Sequence, residues 1–168
     1  MHIRIAGTVN DSIVDGPGLR FTVFTQGCPH HCDGCHNPQT HDPAGGKDAD
    51  TLDIIASLLS NPLLDGITLS GGEPLEQPEA CRVLAQAAKE SNLSVWVYTG
   101  YTWEQLMDGN SQDIRELLDL VDVLVDGRFE KGLRSLELQF CGSRNQRLID
   151  VQASNKNGSV VLWQAPVW

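Results

Sequence analysis

Three cysteines lie close together in the sequence, and their spacing constrains the chain more than any other feature. Cys28, Cys32 and Cys35 form the pattern C-x3-C-x2-C, and no fourth cysteine lies nearby. A [4Fe–4S] cluster has four irons, so three thiolates leave one iron without a protein ligand. An open coordination position is where a metal site meets substrate or cofactor, as in catalytic zinc sites. The spacing therefore favours a reactive iron–sulfur cluster.

A zinc knuckle is the alternative interpretation of the same cysteines. His31 or His36 would then supply the fourth ligand. Structural zinc usually draws on two separated pairs of ligands, and the chain has no second C-x2-C pair. The spacing favours iron–sulfur over zinc and leaves zinc open.

The composition limits the class of protein. The 168 residues are 40% hydrophobic, which is enough for one core, so we expect a single domain over 1–168. A net charge of −10 argues against nucleic-acid binding. The amino-terminal residues lack the apolar core of a signal peptide, and no apolar run is long enough to cross a membrane, so we expect no membrane partner. The chain has five cysteines, an odd number, and the three clustered ones are too close together for a disulfide framework, which favours a reducing, cytoplasmic setting.

The basic residues are unevenly distributed. Five of the twelve lie in one stretch, opposed there only by Glu130 and Glu137; they are Arg128, Lys131, Arg134, Arg144 and Arg147. One interpretation is a solvated surface. The other is a basic patch facing an anionic cofactor or an acidic electron donor. The sequence does not choose between them.

Segments with strand and helix patterns alternate along the chain. Residues 21–25, 66–70, 93–98 and 121–125 have the composition of strands. Residues 51–59, 78–91 and 111–120 have helical patterns, with Asp50 and Ser111 as predicted N-caps of the first and third. Residues 147–163 are predicted to form a hairpin that turns at 155–158. The alternation predicts an α/β fold with mostly parallel strands and outer helices.

Four polar or glycine-rich segments each follow a predicted strand. They are the cysteine loop, Gly71-Gly72-Glu73, Thr99-Gly100 and Asp126-Gly127-Arg128. The carboxyl ends of parallel strands meet at one edge, so we expect these segments to converge. Glu73 could bind an ammonium group, Asp126 ribose hydroxyls, and Arg128 a carboxylate or phosphate. Taken singly, each residue is more often a turn former or a member of a surface ion pair.

The combination of motifs resembles the radical S-adenosylmethionine superfamily, and more narrowly the proteins that activate the anaerobic (class III) ribonucleotide reductase. The resemblance runs from about Asp11 to Val151. It is carried by the following stretches: Val14-Asp15-Gly16-Pro17-Gly18-Leu19-Arg20, 27–37 around the cysteines, Ser70-Gly71-Gly72-Glu73-Pro74, 96–101, 123–129 and Gly142-Ser143-Arg144-Asn145-Gln146.

The resemblance implies a fold, two cofactors and a set of site residues. The fold would be a partial, open (βα) barrel, with 152–168 as a carboxyl-terminal extension. The cofactors would be a [4Fe–4S] cluster and S-adenosylmethionine. The implied residues are Cys28, Cys32 and Cys35 for the cluster; Gly71, Gly72 and Glu73 for the methionine amino group; the backbone of Gly34, Cys35 and His36 for the adenine; and, by looser analogy, Asp126 and Arg128 for the ribose and carboxylate.

The resemblance also implies a reaction and partners. One electron from the cluster would cleave S-adenosylmethionine, and the resulting 5′-deoxyadenosyl radical would take a hydrogen from a glycine in the large subunit of the anaerobic ribonucleotide reductase. Reduced flavodoxin or a similar carrier would supply the electron. No catalytic side chain beyond the cluster and cofactor is implied. His30, His31 and His41 have no assigned role, and Cys81 and Cys141 are predicted to be packed side chains.

One departure and several alternatives remain at this point. Many superfamily members carry an aromatic residue before the third cysteine, where this chain has Gly34, so the adenine must stack elsewhere. The target could be another glycyl-radical enzyme, or a small molecule such as a deazapurine precursor. The chain could also be a non-enzymatic iron–sulfur electron carrier or a zinc-stabilised binding module.

Overall fold

Strands and helices alternate along the chain and build one seven-stranded sheet. The structure is a computed structural model that describes residues 1–166. The strands are β1 (His2–Ser12), β2 (Arg20–Thr25), β3 (Lys47–Asp50), β4 (Gly66–Gly71), β5 (Ser94–Tyr98), β6 (Val123–Asp126) and β7 (Arg147–Asp150), in the spatial order β3-β1-β2-β4-β5-β6-β7. The helices are α1 (Thr51–Leu59), α2 (Pro78–Glu90), α3 (Trp103–Asp108), α4 (Gln112–Leu118) and α5 (Val151–Asn157). None of the described helices is long and apolar enough to cross a membrane.

The centre of the sheet is parallel and its edges are antiparallel. β2, β4, β5 and β6 run parallel, whereas β1 pairs antiparallel with β2 and β3, and β7 pairs antiparallel with β6. The sheet runs from β3 to β7 without closing into a ring. The expected open α/β fold is therefore confirmed, with its parallel part limited to four strands.

The helices cover one face of the sheet, where the main core lies. Phe21, Val23, Ile67 and Leu69 are fully buried there in one cluster with the apolar side chains of α1, α2 and α4. β5 and β6 are covered by apolar side chains on both faces, so their sequences are nearly continuous apolar runs. β2 and β4 instead alternate, with buried polar residues such as Thr22 and Thr68 between the apolar ones. Asp50 and Ser111 cap α1 and α4 as expected, each accepting a hydrogen bond from a backbone N–H of the first turn.

The other face is concave and holds a second, smaller core. Trp96 packs edge-to-face on Trp163 and Phe140, with ring centroids 5.0 and 5.3 Å apart. Arg20 is buried beside them, and its guanidinium donates hydrogen bonds to Thr68 and Ser94. Burial lowers the pKa of Arg20 to about 10, so the side chain stays charged at neutral pH.

The carboxyl-terminal segment differs from the predicted hairpin. The predicted turn at 155–158 lies instead in α5 and its end, since Asp150 caps the helix and Gly158 ends it with a left-handed φ of 74°. The chain then returns beside β7, where Leu162 pairs with Ile149. The hairpin prediction is therefore wrong, because a helix rather than a tight turn joins β7 to the returning segment. Residues 167–168 of the predicted extension lie outside the described residues.

Candidate cluster and cofactor site

The predicted convergence of the four segments is confirmed. At the carboxyl edge of the parallel strands they surround a cavity of about 430 Å³. Its lining includes all three clustered cysteines, Gly71 and Gly72 after β4, Thr99 and Gly100 after β5, and Gly127 and Arg128 after β6. Glu73 and Asp126 are close to the cavity but do not line it.

The cysteine loop is closed at its base by backbone hydrogen bonds. The N–H of Gly27 donates to the carbonyl of Thr40 at 2.7 Å, and that of Cys28 donates to His41 at 3.1 Å. The three cysteines are half-buried on the cavity wall. The N–H of Asn37 donates to Sγ of Cys35 at 3.4 Å. Three thiols on one loop beside an open cavity match the donor set of a cluster with one free iron.

Opposing effects act on the thiols. Burial raises the pKa of Cys28 and of Cys32 above the ordinary thiol value. The backbone amide of His30 counteracts this at Cys28, and the amide of Phe129 and the charge of Arg128 do so at Cys32. A bound metal would complete the deprotonation.

Glu73 lies beneath the cavity and is fully buried, with both carboxylate oxygens already hydrogen-bonded. Oε1 accepts from His30 Nε2 at 2.7 Å and from Thr99 Oγ1 and the Gly100 N–H, both at 2.8 Å. Oε2 accepts from the Leu75 N–H at 3.1 Å. His30, to which the sequence assigned no role, thus lies between Glu73 and the cavity. The Glu73 carboxylate ties the cysteine loop to the segments that follow β4 and β5.

Gly71 and Gly72 are glycines for a packing reason. Gly71 has a φ of 91°, and a Cβ there would lie 2.5 Å from the backbone N of Thr25. A Cβ on Gly72 would lie 2.4 Å from the carbonyl oxygen of Gly27. The two glycines therefore let the end of β4 approach the base of the cysteine loop, and they also leave bare backbone on the cavity wall.

Asp126 faces a second cavity, of about 450 Å³, next to the first. Its carboxylate is almost fully buried, accepts the N–H of Trp103 at 2.8 Å and pairs with the guanidinium of Arg147. Arg147 also pairs with Glu104, and these two acidic partners hold the pKa of Arg147 above its ordinary value. Arg147 therefore already has two acidic partners, whereas Arg128 is exposed and lines both cavities.

An aromatic side chain from another segment stands beside Gly34. A Cβ on Gly34 would meet Cε1 of Phe129 at 3.4 Å. The Phe129 ring lies 5.1 Å from the ring of His36, and both line the cavity. Phe129 follows β6, so its position depends on pairing across the sheet, which the spacing around the cysteines does not reveal.

Other cavity residues were also missed in the sequence. Asp15, on the loop between β1 and β2, accepts hydrogen bonds from Ser12 and Thr22, and lines the cavity with Val14. Cys81 is packed in the core as predicted, but Cys141 lines the cavity. The motif at 14–20 carried the signal for Asp15, since it was part of the resemblance. Within residues 1–166, no three His, Cys, Asp or Glu side chains are arranged to hold a single metal ion.

Comparison with known proteins identifies the family. A family described as "4Fe-4S single cluster domain" matches residues 14–149. The chain belongs to this family. It is also 36% identical over 141 residues to the anaerobic ribonucleoside-triphosphate reductase-activating protein of Enterobacteria phage T4, covering 80% of this chain and 86% of that protein. The protein of the same name from Escherichia coli K12 is 36% identical over 142 residues, covering 80% and 90%. The resemblance noted in the sequence is confirmed, and so is the expected iron–sulfur class.

Two further comparisons are weaker in coverage or in similarity. The pyruvate formate-lyase-activating enzyme of Clostridium pasteurianum is 39% identical over 124 residues, covering 70% of this chain and 50% of that enzyme. Among solved structures, QueE from Escherichia coli matches with a TM-score of 0.48 at 14% identity, covering 75% of this chain and 70% of that one.

Proposed function

We propose that the chain is an activating enzyme that uses a [4Fe–4S] cluster and S-adenosylmethionine to place a glycyl radical on an anaerobic ribonucleotide reductase. The observation that carries the proposal is the position of Cys28, Cys32 and Cys35 on the wall of a cavity formed by the ends of the parallel strands. The family and the named relatives support the same function. When bound, the cluster and S-adenosylmethionine would supply the one-electron chemistry that starts the radical reaction.

The chain's own residues would bind and orient the cluster and S-adenosylmethionine. The three cysteines would hold the cluster, and the backbone at Gly71 and Gly72 would receive the methionine amino group. Glu73 would contribute by fixing His30 and the Gly100 N–H at the cavity wall, because its own oxygens are occupied. Arg128 is exposed and available for the methionine carboxylate, while Asp126 would reach the ribose only from the neighbouring cavity.

Phe129 would replace the aromatic residue that is missing at position 34. The adenine would lie along the backbone of Gly34, Cys35 and His36, next to the Phe129 ring. Stacking of a base on an aromatic ring contributes about 1–3 kcal/mol when measured by alanine substitution. The contacts of Phe129 with His36 and Gly34 support this role.

The reductase is the favoured partner for a specific reason. The chain matches 86% and 90% of the length of two reductase-activating proteins but 50% of the pyruvate formate-lyase-activating enzyme. We propose that residues 1–168 act as one unit in the cytoplasm, where thiols stay reduced. The electron would come from reduced flavodoxin or a similar carrier.

Electron paramagnetic resonance (EPR) of the anaerobically reconstituted, reduced protein tests the proposal. We expect a [4Fe–4S]⁺ signal that changes when S-adenosylmethionine is added. Cys28→Ala, Cys32→Ala and Cys35→Ala should each lose the signal, whereas the matched control Cys81→Ala should keep it, because Cys81 is buried in the core.

The partner is tested by mixing the reduced protein and S-adenosylmethionine with an anaerobic ribonucleotide reductase or with pyruvate formate-lyase. A glycyl radical on the reductase is the expected result. A signal indifferent to S-adenosylmethionine would instead support an electron carrier, and tetrahedral zinc in place of iron would support a binding module.

A further inference from the structure

Four cations on one loop have no partner in the described part of the chain. The segment from Arg128 to Arg144, here called the basic loop, joins β6 to β7. Within residues 1–166, no carboxylate lies within 4.0 Å of the charged atoms of its four basic side chains, which are Arg128, Lys131, Arg134 and Arg144. All four are exposed, on a protein whose net charge is −10. An unpaired positive patch on an acidic protein attracts acidic partners selectively.

The basic loop packs directly on the cysteine loop. A Cβ on Gly34 would lie 3.5 Å from Cδ and 3.6 Å from Cγ of Lys131. Phe129 contacts the same turn, and Arg128 lines the cavity with the three cysteines. A protein bound on the basic loop would therefore be separated from the cysteine loop by a single layer of side chains, and it would not have to enter the cavity.

The exposed apolar residues near the cavity are not concentrated on the basic loop. On the loop between β1 and β2, Ile13 and Val14 are exposed apolar residues, and Val14 lines the cavity. The basic loop offers charge, and its exposed apolar residues are Leu133 and Leu136, at 39% and 89% exposure. Charge with little apolar area suits a small, transient interface of the kind used in electron transfer.

We propose that the basic loop is the docking surface for an acidic one-electron carrier protein. The proposal rests on the function proposed above, in which the cluster takes up one electron from outside the chain for each radical formed. In the docked complex the carrier is oxidised by one electron and the cluster is reduced by one. The opposite charges raise the rate of encounter and orient the carrier toward the cysteine loop.

Charge reversal tests the docking surface without touching the cavity lining. Arg134→Glu combined with Arg144→Glu is compared with the control Lys47→Glu combined with Lys156→Glu, since all four residues are exposed and both pairs change the net charge equally. The full-length protein with its cluster is mixed with reduced flavodoxin, and cluster reduction is followed by stopped-flow absorbance at low and high salt. Photoreduced deazariboflavin, which is uncharged, serves as the second reductant.

The proposal predicts a specific pattern of rates. Flavodoxin should reduce the unaltered protein faster at low salt than at high salt. The loop variant should be at least about tenfold slower at low salt and lose most of the salt dependence, whereas the control should stay within about threefold. Deazariboflavin should reduce all three proteins alike.

Two results would overturn the docking proposal. One is equal slowing of both double variants, which would reflect net charge alone. The other is an unchanged flavodoxin rate with weakened binding of the reductase, which would assign the loop to that partner. If the EPR signal of the cluster in the unaltered protein did not change on adding S-adenosylmethionine, that would instead count against the proposed function. The stopped-flow rates of the loop and control variants would still test the docking surface.

Discussion

Removing the Glu73 carboxylate should destabilise the protein strongly, even before any cofactor is bound. The carboxylate is completely buried and accepts four hydrogen bonds, from His30, Thr99, Gly100 and Leu75. Glu73→Ala leaves these donors without their acceptor. Each buried donor left without an acceptor costs about 1–3 kcal/mol, and water molecules that enter the vacated space recover part of this free energy. We expect a loss of about 3–5 kcal/mol, a large fraction of a typical stability of about 5–15 kcal/mol.

Glu73→Gln separates the role of the charge from that of the shape. The amide oxygen can keep the three donors at the Oε1 position, while the amide NH₂ faces the N–H of Leu75. One donor then meets another donor, so we expect a loss of about 1–3 kcal/mol. Urea unfolding of the cluster-free protein, followed by tryptophan fluorescence, measures both variants. Glu137→Ala, at an exposed glutamate, should change stability by less than about 0.5 kcal/mol.

A loss below about 1 kcal/mol for Glu73→Ala would refute this reasoning. The affinity for S-adenosylmethionine gives an independent check on the folded, cluster-loaded Gln variant. If the Glu73 side chain bound the methionine amino group directly, Glu73→Gln would weaken binding strongly while leaving stability unchanged. Because Glu73 lies beneath the cavity, we expect Glu73→Gln to lower the stability clearly and to change the affinity for S-adenosylmethionine little.

Three further predictions follow from the site and the core. Phe129→Ala should weaken S-adenosylmethionine binding by about 5- to 150-fold, and Phe129→Tyr should restore it, as measured by titrating the change in the cluster EPR signal. Burial raises the pKa of Cys81 to about 12, above its ordinary value of 9.0. The stability from this protonated thiol is therefore complete below pH 9 and lost as pH rises toward 12, so urea midpoints should fall more steeply with pH in the unaltered protein than in Cys81→Ala. Arg147→Ala should cost about 3 kcal/mol because it leaves Asp126 buried without its ion pair, whereas Glu104→Ala should cost about 0.5 kcal/mol because Glu104 is exposed; thermal unfolding separates the two.

The central strands and most helices were predictable because the residues within each segment favour the same secondary structure that the fold requires there. The apolar run at 121–125 and the Asp50 cap of α1 each have a local cause. β1 was missed because it carries Gly7, Asn10 and Asp11, residues that are uncommon in strands. α3 was missed although Thr102 and Gln105 form a capping box, since the helix has only six residues. The end of α5 was taken for a turn because Asn155 and Asn157 precede Gly158, and asparagine and glycine are common in turns.

At the site, the sequence predicted which segments meet but not which side chains face the cavity. The convergence followed from strand order, because each segment ends a strand. The pairing of His30 with Glu73 joins residues far apart in sequence, so no local spacing signals it. The same holds for Asp126, whose ion pair with Arg147 depends on the antiparallel pairing of β6 and β7. Such contacts exist only after the sheet has formed.

The hydrogen bonds at the base of the cysteine loop have a consequence for the life of the protein in the cell. Gly27 and Cys28 are tied to Thr40 and His41 through backbone atoms alone, and the main core lies on the far face of the sheet. Loss of iron to oxygen would therefore empty the loop without dismantling the scaffold beneath it. The cluster-free chain would then keep the loop base in place, and the same three cysteines would be available to bind iron again.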